Sequence, residues 1–249
     1  RLPYSRFYTN PNKDESMKIK TSSIVITVSI LLFLFLAGRY GFTVVSIEEA
    51  EDTVQSEAFD PVAYVDGIWE SKMLPAFKDE AVELPKILSE IELDDSGTAS
   101  KDDLIGIANQ YGLITVGEAH VYMVKGSGKI ASVDAETSQG TAEVTLDGYD
   151  GPIKVLLYIG TRIPSDDTSV RDAVGFIKFD DFREQTEYGK VNKEINTRVL
   201  NVVLGDVDRD NLAGKTISFE GAFTIRTFNL IDIDVSEINI VPVEIEIGE

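Results

Sequence analysis

Apolar residues follow three different patterns along the chain. Residues 21–38 form one uncharged stretch, and residues 46–118 place apolar side chains at helical spacing. From Gly117 onward, apolar and polar residues alternate between turn signals. The three patterns predict an apolar helix, a helical region and an antiparallel β domain, in that order.

The uncharged stretch ends in Leu36-Ala37-Gly38, which resembles the end of a bacterial lipoprotein signal, but Arg39 stands where the lipidated cysteine belongs. A bilayer core of ~30 Å is spanned by about 20 apolar residues. A secretory signal peptide has a shorter apolar core and a small-residue cleavage site. We therefore expect an uncleaved transmembrane signal anchor over 21–42, with a cleaved signal peptide as the alternative.

Charges on the two sides of this stretch predict its orientation. Lys18 and Lys20 precede it, and an acidic run follows it. The positive-inside rule then puts residues 1–20 in the cytoplasm and the bulk of the chain outside. We expect a single-pass protein of the bacterial inner membrane with a periplasmic domain. Met17 is the expected start, with residues 1–16 an upstream read-through; a short cytoplasmic tail is the alternative.

Residues 43–118 predict a helical neck. Asp60 followed by Pro61 is typical of an N-cap and the first position of a helix. Ser100 and Asp103 have the spacing of a second capped start.

Residues 119–249 predict a domain of mostly antiparallel strands, so the fold class is α+β. Strand candidates lie within 119–137, 140–151, 152–163, 212–225 and 238–249, and a helix candidate lies within 176–205. Three strands, a helix and two strands are the order of a five-stranded OB-like barrel. A generic β-sandwich is the alternative.

Composition excludes several functions. The 249 residues include 43 acidic and 23 basic ones, for a formal net charge of −20, and this field repels nucleic acid. The absence of cysteine excludes disulfides, and a single histidine, His120, excludes a zinc cluster of His and Cys ligands. We expect no cofactor and no metal site, and a structural role for His120.

Three short motifs resemble ligand loops without completing them. Residues 213–216 and 126–129 lack the glycine spacing of a phosphate-binding loop. Residues 206–210 space three aspartates like a calcium loop, but Asn211 and Ile217 occupy the positions of its glycine and glutamate. An acidic turn is the better interpretation.

The loop within 161–181 carries the candidate ligand-binding residues, which are Arg162, Arg171, Asp166, Asp167 and Asp172. Two arginines among aspartates near a barrel mouth could hold a small polar ligand or a partner's carboxylate. The alternative is an internal salt-bridge network that fixes the loop. Trp69 is interpreted as a packing anchor between helices and strands.

Four stretches of the chain resemble the bacterial DUF2291 family: FDPVAYVDGIW (59–69), VKGSGKI (124–130), IGTRIPSDDTSVRDAVGFIKFDDFREQTEY (159–188) and LAGKTISFEGAFTI (212–225). The resemblance covers residues 43–249. It implies a predicted periplasmic lipoprotein without demonstrated activity, with genes for sugar importers as neighbours. Arg39 departs from the lipoprotein pattern, because lipid attachment needs a cysteine.

Together these observations predict a non-enzymatic binding or accessory module associated with a sugar or solute ABC importer. Its expected partners are the inner membrane and a small polar ligand or a transporter component. A protein–protein interaction module of the envelope is the first alternative, and a carboxylate-dependent hydrolase is the second.

Overall fold

The chain divides into two compact units, Arg1–Ala58 and Phe59–Glu249. The computed structural model describes residues 21–40, 59–115 and 117–248. The predictions for residues 1–20 and 43–58 lie outside the described residues. The expected boundary between neck and β domain, at 118/119, falls inside the second unit.

Helix α1, Thr21–Tyr40, is the described part of the first unit. Its described side chains between Val25 and Leu36 are exposed. In the parts of the chain that the structure describes, no helix has both the length and the apolarity for crossing a bilayer. The predicted transmembrane anchor over 21–42 is therefore not supported. Three hydroxyl-bearing residues begin α1 and Arg39 lies in its last turn, so its uninterrupted apolar part is shorter than the about 20 residues of a typical span.

The second unit begins with short helices, which are α2 (Pro61–Ile68), a π-helical turn (Trp69–Met73), α3 (Leu74–Glu80) and α4 (Leu84–Leu88). The Asp60 carboxylate caps α2 by accepting hydrogen bonds from the backbone N–H groups of Val62 at 2.9 Å and Ala63 at 3.1 Å. These bonds satisfy donors that the first turn leaves free, and they confirm the predicted helix start.

Three more helices follow, which are α5 (Lys101–Tyr111), α6 (Ser169–Ala173) and α7 (Gln185–Arg198), the last continued by a π-helical turn (Val199–Val203). The hydroxyl of Ser100 accepts the backbone N–H of Asp103 at 3.2 Å, so the second predicted cap is confirmed. Short 3-10 turns occupy Phe179–Asp181 and Arg209–Asn211.

The strands of this unit are β1 (Val82–Glu83), β2 (Thr98–Ser100), β3 (Leu113–Ile114), β4 (Ala119–Asp134), β5 (Thr141–Leu146), β6 (Lys154–Tyr158), β7 (Thr216–Arg226), β8 (Asp232–Asp234) and β9 (Glu237–Ile247). Strands β4, β5, β6, β9 and β7 pair in this order, and β7 pairs again with β4. The pairing thus returns to its first strand. Within this ring only β6 and β9 run parallel. Helices α6 and α7 lie between β6 and β7 in the chain, so the mostly antiparallel α+β prediction is confirmed.

Strand β4 takes part in two ladders at once. Its residues Ala119–Lys129 pair with β7 and its residues from Gly128 onward pair with β5. Gly128 belongs to both ladders, and a Cβ there would lie 2.2 Å from the carbonyl oxygen of Thr145. The register of the β4–β5 ladder shifts between Ile130 and Ser132, just beyond this glycine.

Alternate residues of β4 belong to two different hydrophobic cores. Tyr122 and Val124 contribute to a core formed mainly by the strands of the ring. Val121 and Met123 contribute to a second core, which includes Trp69 from the helices. Trp69 is 1% exposed, which confirms it as a packing anchor between helices and strands.

Candidate functional site

Arg171 and Asp172 form an internal network. The Arg171 side chain donates from Nε to Oδ1 of Asp172 at 2.8 Å, and Nη2 lies 2.7 Å from the same oxygen. The Tyr188 hydroxyl donates to that oxygen at 3.0 Å, and its ring lies under the guanidinium. The network ties α6 to α7. For these two residues, the structure shows the arrangement that the salt-bridge alternative describes.

Arg162 lies apart from this network. Its side chain is exposed, and its backbone N–H donates to the carbonyl oxygen of Ser138 at 2.9 Å. The bond ties the start of the candidate loop to the connection between β4 and β5. The structure therefore does not bring the two predicted arginines together.

Asp167 and Asp166 contact other parts of the fold than the Arg171 network does. Oδ1 of Asp167 accepts the backbone N–H of Ser169 at 3.0 Å and its hydroxyl at 2.6 Å. The Asp167 carbonyl accepts the side-chain amides of Asn192 at 3.0 Å and Asn196 at 3.1 Å. These bonds hold the loop against α7 and fix the direction of the carboxyl group. Asp166 pairs with a third arginine, described next.

Arg226, the last residue of β7, joins this loop to the sheet. Its Nη2 donates to the carbonyl oxygen of Asp166 at 2.6 Å and lies 3.8 Å from that residue's Oδ2. The loop between β6 and α6 is thereby held over the ends of two strands of the ring.

A groove of about 350 Å³ lies beneath this contact, and we call it the Tyr158 groove. It is bounded by the ends of β6 and β7, the start of β9, and the segment that contains β8. The lining residues are Tyr158, Asp167, Thr224, Ile225, Arg226, Leu230, Ile233, Asp234, Val235, Glu237, Ile238 and Asn239. Of the five predicted ligand-binding residues, only Asp167 lines this groove, and Asp166 is connected to it through Arg226.

Burial and charge perturb two ionisable groups of the groove. Burial raises the pKa of Asp167, although the hydrogen bonds from Ser169 and the charge of Arg226 act in the opposite direction. The pKa of Tyr158 is raised to about 12, first by burial and then by the carboxylates of Asp167 and Asp166. Both shifts favour the protonated form of the group relative to its ordinary state in water.

One polar atom of the groove has no partner. The hydroxyl of Thr224 is buried, and it forms no hydrogen bond within the part of the chain that the structure describes. Buried hydroxyl groups are nearly always hydrogen-bonded in proteins. The accessible surface of this oxygen is nearly zero, so the groove does not offer it to a ligand.

Sequence reasoning missed Tyr158, Arg226 and Glu237 as groove residues. Arg226 is 60 residues from Asp166, and only strand pairing brings them together. The signal was present in β7, where Thr224 and Arg226 alternate with the buried Phe223 and Ile225. Polar residues at alternate positions of a strand indicate a face that is not part of the core.

The motifs that resemble ligand loops occupy turns and strands. Residues 206–210 overlap the 3-10 turn Arg209–Asn211, and residues 213–216 end at the first residue of β7. Among the described residues, no group of three or more His, Asp or Glu side chains is arranged to hold a metal ion. His120 is fully buried at the start of β4, where Nε2 lies 3.4 Å from the hydroxyl of Thr227.

A family model described as "Predicted periplasmic lipoprotein (DUF2291)" matches residues 31–246. The chain belongs to the DUF2291 family. The match confirms the resemblance seen in the sequence and places this DUF2291 chain among predicted periplasmic lipoproteins of unknown function. No curated protein matches the chain.

The solved structures that resemble this DUF2291 chain include an OB-fold protein from Thermotoga maritima. The two superpose with a TM-score of 0.57 at 17% sequence identity, over 77% of this chain and 100% of the other. At this identity the likeness shows the fold alone. It agrees with the ring order β4-β5-β6-β9-β7 and with the helices inserted between β6 and β7.

The lipoprotein description and the sequence differ at one position. The 249 residues contain no cysteine, so they offer no thiol for a lipid, and Arg39 follows Leu36-Ala37-Gly38. Membrane attachment through these residues requires a different chemistry.

Proposed function

We propose that this DUF2291 protein is a periplasmic binding protein that holds a small polar solute in the Tyr158 groove and serves a solute importer as an accessory. The observation that carries the proposal is the groove itself. It combines ionisable side chains, the amide of Asn239 and an apolar wall of Leu230 and Ile233. Small-molecule sites typically combine a mostly apolar lining with a few converging polar groups.

The groove is held by structure that does not depend on a ligand. Asp167 is fixed by Ser169, and its loop is fixed by Arg226, so polar groups are already oriented. Such preorganisation reduces the entropy lost on binding. Binding is favoured over catalysis because His120 lies in the strand core and does not line the groove.

A thermal-shift screen of the full chain in detergent tests this proposal. The panel contains neutral sugars, sugar acids, amino sugars, polyols and amino alcohols. A ligand at 100 times its Kd stabilises the folded state by about 2.7 kcal/mol, which raises the Tm of a chain of this size by roughly 5–10 °C. We expect at least one class to reach this shift and Asn239→Ala to reduce it. The absence of a shift with every class would refute the binding function.

Exposed apolar side chains beside the groove favour a second function, docking to a transporter component. Phe228, Leu230 and Ile231 are 61%, 48% and 80% exposed, although they belong to one short loop between β7 and β8. Lys101 donates its backbone N–H to the carbonyl of Ile231 at 2.9 Å, so the loop is held to the helical part of the fold. Exposed apolar clusters of this kind mark interaction sites.

A photocrosslinking amino acid at position 231 tests the docking function in intact cells. We expect a crosslink to a membrane protein, and none from position 202, where Val202 is 62% exposed on the π-helical turn after α7. Equal yields at both positions, or crosslinks to the protein itself alone, would refute it.

We also propose that α1 attaches the protein to the membrane. Its exposed side chains between Val25 and Leu36 are apolar apart from Ser29, and transfer of such surface from water is favourable by ~25 cal/mol per Å². Extraction of membranes at alkaline pH tests this. We expect the wild type to stay in the pellet and Leu32→Glu/Phe35→Glu to move to the supernatant. Retention of the double variant would refute attachment through α1.

A further inference from the structure

The Tyr158 groove has an excess of negative charge. Asp167, Asp234 and Glu237 line it, whereas Arg226 is the one basic side chain in its lining. Asp167 comes from the loop before α6, Asp234 from β8 and Glu237 from the first position of β9. Three separate elements therefore supply a carboxyl group to the same cavity.

The basic residues near the groove offset only part of this excess. Arg226 uses Nη2 for the carbonyl of Asp166 and lies 3.8 Å from its carboxylate, outside the groove lining. Lys154 stands beside Glu237 in the parallel register of β6 and β9, but among the described contacts no ion pair joins them. Ser169 and Ser236 donate hydrogen bonds to Oδ1 of Asp167 and of Asp234, but among the described contacts no basic side chain forms an ion pair with Asp167, Asp234 or Glu237.

The charges of the nearby carboxylates act on the hydroxyl of Tyr158. Apart from burial, Asp167, Asp166 and Glu237 raise its pKa and Arg226 alone lowers it. The nearby carboxylates therefore make a further negative charge at this hydroxyl unfavourable.

A neutral hydrogen-bonding group stands beside the carboxylates. Asn239 lines the same cavity, and its amide fits a hydroxyl of the ligand. Ile233 and Leu230 provide an apolar surface for its carbon skeleton.

We infer that the Tyr158 groove binds a small molecule that carries a protonated primary amine together with hydroxyl groups, as an amino sugar or an amino alcohol does. The ammonium group donates to the carboxylates of Asp167 and Glu237, and the hydroxyls exchange hydrogen bonds with Asn239. Charge-assisted hydrogen bonds are roughly twice as strong as neutral ones, so the amine dominates selection. The inference rests on the proposed binding function and names its ligand class.

Titration calorimetry with matched pairs of compounds tests the inference on the full chain in detergent. The pairs are glucosamine with glucose, galactosamine with galactose, and ethanolamine with ethylene glycol; N-acetylglucosamine keeps the glucosamine skeleton but has no charge. We expect at least one amine to bind at least tenfold more tightly than its neutral partner. We also expect its Kd to rise with added salt, as for any charge-dependent contact.

The possible results separate the two proposals. If a neutral or anionic compound binds and its amine counterpart binds no better, the amine inference is wrong and the binding function stands. If no compound of the pairs or of the wider panel binds, both are wrong. If an amine binds without selectivity over its neutral partner, the inference is also wrong.

Variants locate the bound amine. Glu237 is exposed at the start of a strand, so Glu237→Gln leaves packing intact, and we expect it to raise the Kd for the amine at least tenfold. Asp167→Asn keeps the oxygen that accepts from Ser169 and is expected to act in the same direction. Glu70→Gln, an exposed glutamate in the π-helical turn, is the matched control and leaves the Kd unchanged. Equal Kd values for Glu237→Gln, Asp167→Asn and Glu70→Gln would overturn the assignment.

Discussion

The guanidinium of Arg171 lies 3.7 Å from the centre of the Tyr188 ring, and the hydroxyl of that ring donates to the carboxylate that pairs with Arg171. The arginine, Asp172 and the tyrosine are therefore one closed unit that joins α6 to α7. Because the side chains of the ion pair are only 9% and 11% exposed, the charge of each depends on the other.

Removing Arg171 should destabilise the fold. Arg171→Ala leaves the Asp172 carboxylate buried without its cation, and breaking such a pair costs about 3 kcal/mol of unfolding free energy. Urea denaturation followed by circular dichroism measures the change. Arg162→Ala serves as the control, because Arg162 is exposed, and should change the free energy by less than about 0.5 kcal/mol. Equal effects of the two variants would contradict the network.

The cap on α2 gives a second prediction. Asp60→Ala removes the acceptor for the N–H groups of Val62 and Ala63 and should cost about 1 kcal/mol of unfolding free energy. Asp60→Asn keeps a good capping oxygen and should retain most of the stability. If both variants lose the same amount in thermal or urea unfolding, the carboxylate charge matters more than the cap.

Two glycines should respond to alanine in opposite directions. A Cβ at Gly128 would meet the Thr145 carbonyl oxygen at 2.2 Å, so Gly128→Ala forces the β4–β5 ladder apart and should cost about 2 kcal/mol or more. A Cβ at Gly106 meets nothing within 4 Å, and this residue is exposed within α5. Gly106→Ala should therefore stabilise the protein by about 1 kcal/mol. Tm and the urea midpoint measure both, and a stabilised Gly128→Ala would contradict the register.

The raised pKa of Asp167 predicts a pH-dependent stability. A carboxyl group with a higher pKa in the folded state than in the unfolded state binds more protons when folded. The stability that the Asp167 carboxyl group contributes is then lost as the pH rises from its ordinary pKa of about 3.8 through its higher pKa in the folded state. Asp167→Asn removes this loss and keeps the oxygen that accepts from Ser169.

Urea unfolding as a function of pH tests this prediction. The stability of Asp167→Asn relative to the wild type should increase as the pH rises through that range and become constant above it. Asp150→Asn, at an exposed aspartate of the turn after β5, is the control and should show no such trend. A difference that stays constant, or that decreases with pH, would show that Asp167 is not destabilised by burial.

Local signals made much of the fold predictable. Asp60 and Ser100 act on neighbours two or three residues away, so their capping roles are visible in the sequence. The order of these strands along the chain was predictable because β5, β6, β7 and β9 each have apolar residues between turn signals. At the start of β4 both faces of the strand are buried, so the sequence there shows a continuous apolar run instead of alternation. The two cores to which this strand contributes became apparent only in the structure.

The candidate site was less predictable because it depends on contacts between distant residues. Arg171 and Arg162 are close in sequence, and only the structure shows that one is buried against Asp172 and the other is exposed. Arg226, which does reach the loop, comes from a strand 60 residues beyond Asp166. Net charge predicted that a binding partner would not be a polyanion, but it gave no position for the groove.

The position of β9 has a consequence for how the protein is made. This strand lies between β6 and β7, with Ile240 opposite Leu157 and Glu244 opposite Glu220. A chain that emerges from the ribosome or the export channel in order therefore presents two open strand edges, on β6 and β7, until β9 arrives. Unpaired edges attract other strands, so these two edges of the nascent protein are open to pairing with other chains until β9 is inserted.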